Sequence, residues 1–188
     1  MKSFWKALSR FIFWLKGWQL EGGFPTDLKK AVMIAAPHTS NWDFLYARAA
    51  FFLMEVPMKY TIKKEVMVGP LGWLLASLGA IPVDRGSQGM RRHSLVDVMA
   101  MEFERREELV ILVTPEGTRQ YATKWKSGFY RVAQRAQVPM VMGYLDYKRK
   151  VAGVGPVIYP TGDYEADLRK IKDFFRDKTA KYPEQGVR

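Results

Sequence analysis

Short apolar runs alternate with longer amphipathic stretches along most of this chain of 188 residues. Apolar runs bounded by glycine and proline are typical of buried strands, and the stretches between them have helical periodicity. Strands that alternate with helices predict one layered α/β domain with a mostly parallel central sheet flanked by helices. We expect strands over residues 18–20, 31–36, 59–62, 80–83, 109–114, 139–145 and 151–159. We expect helices over residues 41–54, 71–78, 90–106, 127–136 and 164–180.

The first 17 residues predict an additional amphipathic helix. This segment is basic, has no acidic residue, and is rich in tryptophan and phenylalanine. Such a composition is typical of helices that lie in a membrane interface, and the interspersed basic residues argue against a helix that spans the bilayer. A helix that packs on the protein core is the alternative. We therefore divide the chain into an interface helix over 1–17 and a compact domain over 18–188.

The net charge of +11 implies an anionic partner, which is a nucleic acid, an acidic membrane face or a phosphorylated small molecule. The chain contains no cysteine, which excludes disulfides, a thiolate nucleophile and cysteine metal sites. Its two histidines, His38 and His93, do not form a zinc-binding motif. We therefore expect no metal.

An uncharged stretch over residues 66–83 touches the lower length limit of a membrane-spanning helix. Its glycines and prolines instead divide it into a turn, a short helix and a strand. Packing in the core is the interpretation that we favour here, and a wall for a lipid chain is the alternative.

A histidine and an aspartate, His38 and Asp43, follow the strand predicted over 31–36. Residues five apart point about 140° away from each other on one helix, so the pair meets only across a turn. Pro37 keeps the residue before it extended, and Ser40 is placed to cap the next helix with Asp43 at its third position. Asp43 then fixes the tautomer of His38 and supports it as a general base. A helix cap without a catalytic role is the alternative.

A second polar motif, Glu116-Gly117-Thr118-Arg119, follows the strand predicted over 109–114. Gly117 allows the backbone to approach a ligand closely, and Arg119 offers a fork of donors that suits phosphate. Glu116 suits a hydrogen bond to a hydroxyl, so the set fits a phosphorylated polyol. Arg85, after the strand predicted over 80–83, is a second candidate phosphate ligand. An ordinary loop with a surface ion pair is the alternative.

Taken in order, these segments resemble the glycerolipid acyltransferase family, whose best-known members acylate lysophosphatidic acid. The family's His-x4-Asp block is matched by residues 38–43, its glycine-to-arginine block by 79–85, its Pro-Glu-Gly-Thr-Arg block by 115–119, and its Val-Pro block by 138–139. The resemblance spans roughly residues 30–145. The chain departs from the family's common pattern at Pro37, Thr114 and Gln120, and none of these changes removes a charged group.

The resemblance implies that His38 deprotonates an acceptor hydroxyl, that Asp43 orients His38, and that the acceptor attacks an acyl thioester directly. It implies a lysophospholipid acceptor, a donor that is acyl carrier protein or acyl-coenzyme A, and no cofactor. The substrate-binding residues that it implies are Arg85, Glu116, Gly117, Thr118, Arg119 and Lys64.

Lysophosphatidic acid is the leading acceptor, with lyso-ornithine lipid or another lysophospholipid as the alternative. We expect peripheral or monotopic attachment to the anionic cytoplasmic face of a membrane, and we expect no nucleic-acid partner. A basic module without enzymatic activity that binds RNA or membranes is the competing class, and it leaves the four ordered blocks unexplained.

Overall fold

A computed structural model describes residues 2–83 and 94–188 of the chain. The strands in this part are β1 (Gln19–Glu21), β2 (Lys30–Ala35), β3 (Met58–Lys63), β4 (Ala80–Val83), β5 (Leu109–Val113), β6 (Met140–Asp146) and β7 (Val151–Ile158). The helices are α1 (Lys2–Lys16), α2 (Trp42–Leu53), α3 (Gly69–Ser77), α4 (Leu95–Arg105), α5 (Gly128–Ala136) and α6 (Tyr164–Phe175).

All seven strands form one sheet in the order β1-β7-β6-β2-β5-β3-β4. Strands β2 to β6 run parallel to one another, and only the β6–β7 pair is antiparallel. Because β1 pairs in parallel with β7, these two strands run opposite to the other five. The prediction of a single α/β domain with a mostly parallel central sheet is confirmed.

The helices cover both faces of the sheet. The chain moves across the sheet in one direction through α2 and α3 and returns through α4 and α5. Since parallel crossovers are right-handed, α2 and α3 lie on one face and α4 and α5 on the other. The buried side chains agree with this division, because Phe103 of α4, Phe129 of α5 and Phe175 of α6 belong to one cluster. Phe51 of α2 packs in a separate cluster, on the opposite face of the sheet.

The central strands are apolar on both faces, as expected for parallel strands between two helical layers. In β2, Val32 and Ile34 pack towards α4 and α5, whereas Ala31 and Met33 pack towards α2, and all four are fully buried. Parallel strands place their carboxyl ends at one edge, and the loops that follow β2, β5 and β6 therefore meet there.

Helix α1 has two different faces. Its inner face packs on α2, where Phe13 is buried beside Trp18 and Tyr46. Its outer face exposes apolar side chains, among them Phe11 and Trp14, and Trp14 is 75% exposed. Core packing and an exposed apolar surface therefore coexist in this helix. Across the described ranges 2–83 and 94–188, the helices are too short or too polar to cross a bilayer.

Two observed helices differ in their bounds from the predicted ones. Helix α6 stops at Phe175 instead of residue 180, since the carbonyl of Thr179 accepts a hydrogen bond from the Tyr147 N–H and draws the chain away from the helix axis. Helix α4 begins at Leu95, because Ser94 caps it and forms a capping box with Asp97, and residues 90–93 of the predicted helix lie outside the described residues.

The core position that we favoured for the short apolar helix is wrong. Val83 of β4 is buried, but most of α3 is exposed, and the Trp73 side chain is 70% exposed. Apolar sequence alone does not distinguish a buried helix from an exposed one, since the outcome depends on whether a second layer covers it.

Candidate active site

The two polar motifs meet at the carboxyl edge of the sheet. His38 follows β2, and the loop that contains Glu116 follows β5, the neighbour of β2 in the sheet. The backbone N–H of His38 donates a hydrogen bond of 3.1 Å to Oε1 of Glu116, across 78 residues of sequence. The sheet therefore brings together the residues that the sequence singles out.

His38 and Asp43 form a direct pair. Nδ1 of His38 lies 3.1 Å from Oδ2 of Asp43, and the histidine side chain is 22% exposed. A carboxylate at Nδ1 favours the tautomer that carries its proton there, which leaves Nε2 as the basic nitrogen. His38 also lines a large cavity, so a molecule bound there would lie beside the histidine.

Four donors hold Asp43 in place. Its Oδ2 accepts hydrogen bonds of 2.8 Å from the N–H groups of Thr39 and Ser40, in addition to the contact with His38. Its Oδ1 accepts a hydrogen bond of 2.6 Å from the hydroxyl of Tyr147. Burial raises the pKa of the Asp43 carboxyl, but the hydrogen bonds from His38, Tyr147 and the two N–H groups outweigh burial, so the pKa lies below its ordinary value.

The cap of α2 differs in one detail from the predicted arrangement. Helix α2 begins at Trp42, so the N-cap by position is Asn41 rather than Ser40, although Asn41 has helical dihedral angles (φ −64°, ψ −25°) and its side chain makes no capping hydrogen bond. Ser40 still contributes, since its Oγ accepts a hydrogen bond from the Trp42 N–H and its own N–H bonds to Asp43. The turn that caps the helix is thus also the turn that positions Asp43.

Sequence analysis missed Tyr147. This residue directly follows β6, the other neighbour of β2, so its position after a buried strand was a usable signal. Burial and the neighbouring Asp43 carboxylate raise the pKa of the Tyr147 phenol, which therefore keeps its proton and remains a donor. Its ring packs edge-on against Trp18 and Tyr46, and these contacts fix its orientation.

Glu116 lies behind His38 rather than in the cavity. Its carboxylate is buried, contacts the His38 backbone through Oε1, and leaves Oε2 without a hydrogen-bond partner among the residues that the structure describes. Burial raises the pKa of Glu116 to about 7. The side chain thus supports the loop that carries His38, and its contact is with the protein.

Gly117 and Lys126 form the next part of the site. Gly117 has φ +64°, and a Cβ atom added there would lie 2.5 Å from Nζ of Lys126. The Lys126 N–H donates a hydrogen bond of 2.8 Å to the carbonyl of Pro115, which holds the two segments together. The absence of a side chain at residue 117 therefore gives the lysine its place in the cavity wall.

The cavity beside His38 has a volume of about 1210 Å³. Its polar wall includes Gly117, Thr118, Arg119 and Lys126, whereas Lys64 is exposed in the turn after β3 and does not line the cavity. Arg85 lies outside the described residues. Apolar side chains line much of the remaining wall, among them Phe44, Phe51, Met54, Tyr60, Ile62 and Leu75.

The described residues of this region do not offer a set of ligands for a metal ion. Over residues 2–83 and 94–188, no three histidine, aspartate or glutamate side chains are grouped closely enough to hold an ion. The groups that the site offers are a histidine base, a buried carboxylate and cationic side chains.

Comparison with known proteins relates this geometry to a family. A family model described as Acyltransferase matches residues 21–143, which is more than half of the chain. The matched stretch contains His38, Asp43 and the 116–119 loop, and it ends four residues before Tyr147.

Two individual proteins are similar to the chain. A "Probable 1-acyl-sn-glycerol-3-phosphate acyltransferase" of Mycoplasma pneumoniae is 28% identical over 168 residues, and the alignment covers 80% of this chain and 60% of that protein. The chain thus spans about 60% of the length of this relative. The solved structure of the 1-acyl-sn-glycerophosphate (LPA) acyltransferase PlsC from Thermotoga maritima matches with a TM-score of 0.64 and 15% identity, covering 92% of this chain and 76% of that one. At this identity the match shows the fold.

Proposed function

Because the chain belongs to the acyltransferase family, we propose that it transfers a fatty acyl group from an acyl thioester to the free hydroxyl of a lysophospholipid. The leading acceptor is 1-acyl-glycerol-3-phosphate, which gives phosphatidic acid. The observation that carries this proposal is the His38–Asp43 pair at the cavity, with Nδ1 and Oδ2 3.1 Å apart.

In the proposed reaction, Nε2 of His38 removes the proton from the acceptor hydroxyl. The oxygen attacks the thioester carbonyl, a carbon–oxygen bond forms, and the carbon–sulfur bond breaks. The thiolate leaves and takes the proton from His38, so the enzyme ends as it began. Asp43 stabilises the imidazolium between these steps, and it stays ionised because hydrogen bonds keep its pKa low. This sequence needs no metal or cofactor.

The polar wall of the cavity fits a phosphate-bearing acceptor. Arg119 and Lys126 are cationic, and Gly117 and Thr118 lie between them and the end of β5. We assign the acceptor phosphate to Arg119, with Arg85 as a second ligand and Lys64 in an assisting role at the rim. Glu116 has a supporting role in this assignment, since its carboxylate bonds to His38.

The apolar wall fits long acyl chains. The cavity volume of about 1210 Å³ exceeds the roughly 300–1,000 Å³ that is usual for a small-molecule pocket. Lysophosphatidic acid and an acyl thioester each carry such a chain. The combination of a cationic wall and a large apolar wall favours this acceptor over a soluble polyol.

The outer face of α1 supports attachment to a membrane. Its exposed aromatic side chains and the net charge of +11 suit an anionic cytoplasmic membrane surface. The protein would then meet its acceptor where that lipid resides. The donor is an acyl thioester of acyl carrier protein, which is an acidic partner, or of coenzyme A.

One assay tests the reaction and separates the remaining choices. The purified protein is incubated with detergent-dispersed lysolipids and a radiolabelled fatty acyl group, carried as a thioester on either acyl carrier protein or coenzyme A. We expect phosphatidic acid from lysophosphatidic acid. Product from lyso-ornithine lipid alone would move the proposal to the alternative acceptor, and no acylated product from any lysolipid with either donor would contradict it and favour a basic binding module.

A further inference from the structure

Helix α3 is apolar and largely exposed. It contains no charged residue, yet Leu71, Trp73 and Leu74 are all exposed, and Val68 just before it is exposed as well. The buried part of the helix is narrow. Gly72 packs there against the backbone of Met67, where a Cβ atom would lie 2.5 Å from the carbonyl carbon.

Exposure extends around most of the helix rather than along one stripe. At 100° per residue, Leu71, Trp73, Leu74 and Ala76 together cover well over half of the circumference. A helix that docks in a protein groove usually presents one apolar stripe and keeps the rest polar. An apolar surface that continues around the helix fits a medium that surrounds it, which is the interface of a lipid bilayer.

The residues that flank α3 support a lipid partner. Lys63 and Lys64, which lie five or six residues before the start of the helix, are exposed and are followed by a single acidic residue, Glu65. Lysines suit the headgroup level of an anionic leaflet, and tryptophan is the side chain that prefers this depth. The net charge of +11 has the sign that such a surface attracts.

The position of α3 relates this surface to the site. Helix α3 lies on the same face of the sheet as α2, and α1 packs on α2 from outside. Leu75 of α3 lines the cavity, as do Phe51 and Met54 of α2. One side of α3 thus forms part of the cavity wall, and the opposite side is exposed.

We propose that α3 is a second membrane-contacting element, which inserts Leu71, Trp73 and Leu74 into the lipid interface independently of α1. Two contacts on one face of the sheet fix the orientation of the protein on the bilayer, whereas one helix would allow it to tilt. This inference takes a lipid acceptor from the proposed function, and it places the apolar wall of the cavity next to the leaflet that holds that lipid.

The cysteine-free chain allows a direct test. In three variants, a single cysteine replaces one exposed residue. The variants are Ala76→Cys on α3, Ala7→Cys on α1 and Arg169→Cys on α6, which lies on the other face of the sheet. Each is labelled with nitrobenzoxadiazole and mixed with vesicles of phosphatidylglycerol and phosphatidylcholine that contain doxyl-labelled lipid. We expect a blue shift and quenching at residues 76 and 7, and no change at residue 169.

Every other pattern overturns the proposal. Quenching at residue 7 without quenching at residue 76 means that α1 alone binds the membrane. A response at residue 76 that depends on protein concentration without vesicles means that a second copy covers α3. No response at either position also removes the membrane attachment, and product formation from detergent-dispersed lysolipid then shows separately whether the proposed reaction stands.

A pair of variants gives a second measurement. Trp73→Glu and Tyr159→Glu each replace a largely exposed aromatic residue, 70% and 68% exposed, and each lowers the net charge by one. Residue 159 follows β7 at the opposite edge of the sheet from the site. We expect Trp73→Glu to weaken partitioning into vesicles by about tenfold or more. Equal partitioning of the two variants would overturn the proposal.

Discussion

The hydroxyl of Tyr147 donates a hydrogen bond of 2.6 Å to Oδ1 of Asp43, although the two residues lie 104 positions apart. His38 occupies the other carboxylate oxygen, so Asp43 is held from both sides. Tyr147 directly follows β6, and Asp43 lies in the first turn of α2, the helix that follows β2. Strands β6 and β2 are neighbours in the sheet. The pairing of two parallel strands thus sets the geometry of the His38–Asp43 pair.

Tyr147→Phe tests this relationship. The variant keeps the ring and removes the donor, which leaves a buried carboxylate oxygen unpaired and destabilises the protein by about 1–3 kcal/mol at pH 7. We also expect kcat to fall by about tenfold, because His38 loses part of its support. Urea unfolding and steady-state kinetics measure the two effects.

The pH dependence distinguishes this role from packing. The pKa of Asp43 is lowered in the folded protein, so its contribution to stability is present above the ordinary aspartate pKa and is lost as the pH falls through the folded value. The stability difference between wild type and Tyr147→Phe should therefore shrink below about pH 4. Tyr159→Phe, which removes an exposed hydroxyl, serves as control, and a pH-independent difference for Tyr147→Phe would argue against the account.

Glu116 predicts a different dependence on pH. Its pKa is about 7 in the folded protein against 4.5 for a free side chain, so the folded state holds the extra proton between these values. Binding of that proton stabilises the folded state, and this contribution to the free energy of unfolding is lost as the pH rises from 4.5 to about 7, by on the order of 3 kcal/mol in total. Glu116→Gln keeps an acceptor for the His38 N–H and removes the titration. From pH 5 to pH 8 the free energy of unfolding should change in favour of the variant, and parallel profiles would refute the shift.

Gly117 and Lys126 predict a local steric effect. Gly117→Ala places a methyl group against the lysine and strains a backbone with φ +64°. Gly69→Ala is a matched control, since Gly69 has φ +55° and open space around the added atom. Both variants should lose about 1 kcal/mol from backbone strain, and Gly117→Ala should lose more because Lys126 must move. Equal losses in thermal unfolding would mean that the lysine contact is unimportant.

Helix α1 predicts opposite outcomes for two of its phenylalanines. Phe13 is buried against Trp18 and Tyr46, so Phe13→Ala should cost about 3–5 kcal/mol of stability. Phe11 is exposed, and Phe11→Ala should change stability by less than about 0.5 kcal/mol. Removal of all 17 residues would combine these effects, so urea unfolding of the two point variants is the sharper measurement. Similar losses at both positions would contradict the two-faced packing of α1.

The sequence was sufficient to predict the individual strands and the turn at His38. Both follow from local patterns, since apolar runs such as 31–36 mark buried strands and the spacing of His38 and Asp43 requires a turn. The predicted bounds of most strands and helices therefore lie close to the observed bounds. The end of α6 did not, because Thr179 leaves the helix to bond with Tyr147 at a distant turn.

The remaining parts of the site depend on contacts that no local pattern contains. Tyr147 reaches Asp43 only because β6 lies beside β2, and the carboxylate of Glu116 turns from the cavity to the His38 backbone for a similar reason. The exposure of Trp73 likewise depends on which layer covers α3. These are consequences of strand order, which the sequence does not state.

The most direct test of the account replaces the base. Lysolipid acylation is measured for wild type and for His38→Ala, with circular dichroism and thermal unfolding to establish that the variant is folded. General-base catalysis contributes about 10²-fold or more, so kcat/KM should fall by at least that factor. A folded His38→Ala protein that retains wild-type kcat/KM would contradict the central claim that His38, oriented by Asp43, activates the acceptor hydroxyl.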